Sequence, residues 1–148
     1  MQHTAVGDES RVLVRRHLAF GWCGLTLGGT LGLLLEGLHA LKAPVYLDLG
    51  SATTRLMWRL AHAHLGLLSL MSLALAFTMT QVPAGWKATS RWLLLGSVCL
   101  PLGFLLGGVG AHGGDPGLGI LLVPPGALAV VAACCQATVL VWRSQHPQ

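Results

Sequence analysis

The sequence predicts an all-α fold, an integral membrane four-helix bundle, from three observations. Only 9 Lys and Arg and 5 Asp and Glu occur among 148 residues, so 9% of the chain is charged where a soluble domain carries about 25%. Those charges leave four uninterrupted apolar intervals: His17 to Leu35 (19 residues), Leu60 to Trp86 (27), Trp92 to Gly114 (23) and Pro116 to Trp142 (27). A helix rising about 1.5 Å per residue needs about 20 residues to cross a ~30 Å hydrocarbon layer, so each interval spans, the first by borrowing its neighbours. The same count excludes a soluble enzyme, a nucleic-acid-binding domain and a disordered chain.

The chain begins with a polar stretch, residues 1–16, read as an N-terminal tail with an interfacial turn around Val12 to Arg16. The first span, His17 to Leu41, follows Arg15 and Arg16 in the manner of a signal peptide. Its apolar run continues through Leu35 into Glu36-Gly37-Leu38-His39 without a small-residue cleavage site, so it is expected to be retained. The second, third and fourth spans are placed at Leu56 to Thr80, Ser90 to Val109 and Leu118 to Trp142, giving a transmembrane domain over 17–142 and a C-terminal tail over 143–148. Gly24, Gly28 and Gly32 recur at steps of four in the first span, and Gly103 and Gly107 follow Pro101 in the third. Small residues at that spacing let neighbouring backbones approach, so these faces are expected to point into the bundle. Pro101 and the Pro124-Pro125 pair are expected to bend the third and fourth spans.

Orientation follows from the basic residues. Arg11, Arg15, Arg16, Lys87, Arg91 and Arg143 share the side of the termini, against Lys42, Arg55 and Arg59 on the other. The positive-inside rule then puts both termini in the cytoplasm, with the bacterial inner (plasma) membrane as the expected location. Trp58, Trp86, Trp92 and Trp142 lie near span ends, the pattern of an aromatic belt at headgroup level. Cys23, Cys99, Cys134 and Cys135 fall inside spans, where they read as small buried hydrophobes.

The alternation of the chain across the membrane collects the unusual polar residues at the end away from the termini. Glu36 and His39 close the first span, Asp48 and Arg55 lie in or beside the first loop, Arg59, His62 and His64 open the second span, and His112 and Asp115 follow the third. Ionisable groups at membrane depth are costly, which makes such a cluster a candidate site. Three chemistries compete. Imidazoles such as His39 with His62 or His64 would ligate a b-type haem. Glu36, His39, His62, His64 and His112 would hold a transition metal, with Asp48, Arg55, Arg59 and Asp115 in support. The third is an ion-pair network, Glu36 with Arg59, that orders the helices or receives a partner. His62 and His64 differ by about 200° around a helix and so point to different neighbours. The glycine-rich segment Gly107 to Gly119 is a tight loop carrying His112 and Asp115, either a lid or a turn, and lacks the features of a phosphate loop.

The stretch LAHAHLGLLSLM, Leu60 to Met71, resembles the histidine-bearing helix of the haem-copper oxidase subunit I superfamily and of NnrS-like membrane proteins. That resemblance covers about 12 residues and implies that His62 or His64 contacts haem or a metal. Four spans lack the many helices and further ligands of those oxidases. The wider pattern, Glu36-Gly37-Leu38-His39, Tyr46-Leu47-Asp48 and Arg55 to His64, is similar to small uncharacterised bacterial membrane proteins. The expected function is therefore a haem- or metal-binding membrane component for electron transfer or assembly. The alternative is a non-catalytic structural or partner-binding subunit, with transport through an oligomer third. The expected partners are the lipid bilayer and a membrane protein or a second copy, with no nucleic acid.

Overall fold

The computed structural model describes residues 2–82 and 84–146. It is all-α among those residues: α1 (Gln2–Ala40), the short α2 (Pro44–Leu47), α3 (Ala52–Gln81), α4 (Lys87–Val109) and α5 (Val123–Gln145). Four segments, Glu9–Ala40, Ala52–Gln81, Lys87–Val109 and Leu118–Gln145, are long and apolar enough to cross a membrane. The chain thus has the spans of a multi-pass membrane protein. Two boundaries differ from expectation. Helix α1 begins at Gln2 rather than at His17, because residues 2–16 contain no Pro and only one Gly to stop it. The fourth span opens with a 3-10 turn, Leu118–Leu122, and α5 starts at Val123 with the prolines in its first turn. There a missing N–H costs nothing, so this pair starts a helix where a bend was expected.

The helices pack in chain order. Helix α1 lies along α3, α3 along α4 and α4 along α5, with a smaller contact of α1 on α4, while among the described residues the backbones of α1 and α5 do not approach each other. The bundle is therefore open, with α1 and α5 as its edges.

Small residues line each seam, as the spacing predicts. A Cβ at Gly32 would stand 2.6 Å from His62 Cε1, one at Gly28 would meet Gly66 at 3.6 Å, and one at Gly21 would stand 2.6 Å from Leu73. These contacts set an antiparallel register in which each step up α1 is a step down α3. On α4, Gly96 and Gly103 are pressed against α5 and its leading turn, facing Val130 and Val123.

The apolar core gathers at the end carrying the termini, where Leu13, Leu75, Met79, Trp86, Leu93 and Ala133 form one buried cluster. Trp86 belongs to this core and not to a belt: it is 1% exposed, and its indole N–H donates to Val82 O at 2.9 Å. Trp92 and Trp142 do face outward, whereas Trp58 is half-buried over Gly108. The cysteines also depart from expectation. Cys23, Cys134 and Cys135 are exposed and Cys99 half-buried, because the glycines and serines of the same helices take the seams.

Candidate functional site

At the end away from the termini the chain is ordered by backbone turns. Lys42, with φ 50, closes α1; Ala43 N–H reaches back to Leu38 O, and Pro44 starts α2. Arg55 is spent on this corner: its guanidinium donates to Tyr46 O at 2.6 Å and lies 5.9 Å from the centre of the Tyr46 ring. Asp48 is exposed. His112 and Asp115 exchange backbone hydrogen bonds of 3.0 Å around Gly113 and Gly114, whose φ values of +60 and +94 are the two left-handed positions of a tight turn. Thr53 Oγ1 donates to Gly114 O at 2.6 Å, which ties that turn to α3. The side chains of His112 and Asp115 are exposed.

The remaining predicted site residues lie at one level but do not converge. Extending the α1–α3 register by a turn beyond Gly32 and His62 brings Glu36 level with Arg59. Leu35 fills the seam there, so Glu36, next in the helix and rotated by about 100°, is turned outward and exposed, as are His39 and Arg59. The expected Glu36 to Arg59 ion pair does not form for that reason. Among the described residues the ion pair present joins Glu9 to Lys87 at 3.1 Å, at the opposite end. His62 and His64 diverge as their spacing requires. His62 Nδ1 is 2.9 Å from Gly28 O in the α1 seam. His64 Nδ1 is 2.8 Å from Leu60 O, and its ring lies 4.8 Å from that of Phe104 on α4. Among the described residues no three His, Cys, Asp or Glu side chains are grouped to hold a metal ion.

No family profile, curated protein or solved structure matches this chain.

The most enclosed polar constellation lies at the other end, on residues the sequence reading passed over. His17 has 0% exposure. Its Nδ1 is 2.8 Å from Ser72 Oγ on α3 and its Nε2 is 2.8 Å from Ser90 Oγ on α4. Arg16 donates a guanidinium N–H to the same Ser90 oxygen. Arginine only donates, so Ser90 accepts from Arg16 and is free to pass its own proton to Nε2, leaving Nδ1–H to donate to Ser72. Every polar atom of the imidazole is used, and three helices are joined through one ring. Ser69, also at 0% exposure, spends its hydroxyl on Leu65 O at 2.6 Å. The signal for this site was present: a histidine directly after two arginines, with Ser69 and Ser72 three apart on one face of the second span. Serine in an apolar run resembles an ordinary small residue, and only tertiary packing brings Ser90 to meet the histidine.

Proposed function

We propose that the protein is a non-catalytic membrane subunit, held together by the His17 network and offering the charged rim Glu36, His39 and Arg59 to a partner in the same membrane. The observation that carries this reading is the level, outward and unpaired placement of Glu36 on α1 and Arg59 on the adjoining α3 of an open bundle. Intramembrane charges are retained where they find a counter-charge. A second copy of the chain supplies one directly, because across a two-fold axis Glu36 meets Arg59 and Arg59 meets Glu36. The enclosed histidine, by contrast, has both nitrogens committed to serine hydroxyls and suits a structural pin. The test is the oligomeric state in lipid nanodiscs. Glu36→Arg alone disperses the assembly and the double swap Glu36→Arg with Arg59→Glu restores it; assembly indifferent to both changes contradicts the reading.

A second reading, haem or metal binding, is supported by one feature. His62 and His64 each commit Nδ1 to a backbone carbonyl, the arrangement that fixes the tautomer and leaves Nε2 for a ligand. Each would then need its other ligand from a second copy or another protein. An absorption spectrum of protein expressed with ample haem, before and after reduction, tests it.

A further inference from the structure

The side of the α1–α3 pair turned away from α4 carries the rim charges and is uncovered. Gly28 meets Gly66 in the seam between the two helices. One residue back on each helix, Leu27 and Leu65 turn into the hollow that faces α4. One residue on, Gly29 and Leu67 turn by about 100° to the opposite side. Both are exposed there, and a Cβ at Gly29 would meet nothing within 4 Å. Steps of three and four continue this face to Glu36 on α1 and to Arg59 on α3. Its threonine hydroxyls are satisfied within α1, Thr26 donating to Trp22 O and Thr30 to Thr26 O, so the surface between the charges and the far end is dry.

Two copies in one membrane share their direction of insertion, so a two-fold axis between them runs along the membrane normal and keeps every residue at its own depth. With the uncovered faces together, α1 of each copy lies against α3 of the other. The register set within one chain, Gly28 level with Gly66, then holds across the interface and brings Glu36 opposite Arg59. Below the charges the two faces alternate in size. Leu33, 74% exposed, stands over Ala63; Leu67, 57% exposed, stands over Gly29; and Trp22, 63% exposed, stands over Ala74, each pair within about two residues of level. A bulky side chain meets a small one at each depth, which is the packing that holds helices together in lipid. We propose that the protein pairs with a second copy through this whole α1–α3 face, Leu67 of each copy seated in the notch at Gly29 of the other. The pairing rests on the charged rim proposed above and extends it through the depth of the membrane.

The experiment co-expresses two differently tagged full-length chains, freed of their four native cysteines, one with Trp22→Cys and the other with Ala74→Cys. Both positions lie about 20 Å from the charges along their helices, so a partner touching only the rim does not bring them together. Oxidation of intact membranes is expected to give a disulfide joining the two tags, whereas Leu27→Cys, on the opposite side of α1, gives none with Ala74→Cys. Gly29→Leu fills the notch and weakens dimerisation by about tenfold, leaving the fold of each chain intact because nothing packs on Gly29 within it. Adding Leu67→Ala to the same chain restores the dimer. Absence of the 22–74 disulfide together with indifference to Gly29→Leu overturns the pairing. If Glu36→Arg still disperses the assembly in that case, the charged rim stands and the face alone is wrong; if that change is also without effect, both fall.

Discussion

His17 Nε2 lies 2.8 Å from Ser90 Oγ, joining the first span to the third through a ring whose other nitrogen holds Ser72 on the second. Replacing that ring removes two hydrogen bonds and leaves two serine hydroxyls buried. His17→Ala is expected to cost about 2–4 kcal/mol, and Ser72→Ala or Ser90→Ala about 1 kcal/mol each. A double-mutant cycle between His17 and Ser90, followed by unfolding in mixed micelles, should return a coupling of about 1 kcal/mol; additive losses would show that the contact does not tie the helices.

The α1–α3 seam makes a sharper prediction at its glycines. A methyl at Gly32 collides with the His62 ring, whereas Gly29 has nothing within 4 Å of an added Cβ. Gly32→Ala should therefore destabilise the protein by about 1–3 kcal/mol, while Gly29→Ala is neutral or slightly stabilising. Equal melting temperatures for the two variants would mean that the helices do not meet at this register.

Trp86 and Trp142 both lie near helix ends, yet only Trp86 is enclosed. Trp86→Ala is expected to cost about 3–5 kcal/mol through loss of its packing, and Trp142→Ala less than about 1 kcal/mol. Tryptophan-specific oxidation provides an independent check, since Trp142 should be modified while the folded protein protects Trp86.

If His62 and His64 serve helix packing, protein expressed with ample haem shows no Soret band, and His62→Ala lowers stability without changing iron content. A reduced spectrum with sharp α and β bands that vanish in His62→Ala or His64→Ala would instead favour the ligand reading.

Much of this architecture was legible in the sequence because the bilayer imposes a single strong rule. Runs free of charge must be helices long enough to cross, and Gly24, Gly28 and Gly32 at steps of four must face a neighbour; the glycine row does meet α3. The divergence of His62 and His64 was likewise readable from helical rotation. The outward turn of Glu36, His39 and Arg59, which were expected to share one site, was not, since a shared level does not fix which way a side chain turns. Leu35 takes the seam and sends Glu36 outward. The His17 network was harder still: a histidine directly after two arginines reads only as the first residue of a span until the fold brings Ser72 and Ser90 to its two nitrogens.

The central claim, that the outward charges of Glu36 on α1 and Arg59 on α3 meet a partner in the membrane, is tested most directly by leaving both charges in place, putting a photoreactive amino acid at the exposed Leu33, one turn from Glu36, and separately at the exposed Ala63, one turn from Arg59, and irradiating intact membranes. The account predicts a discrete dimer whose cross-links from position 33 map to the neighbourhood of Arg59 in a second copy, and those from position 63 to the neighbourhood of Glu36. Adducts to lipid alone from both positions would contradict it.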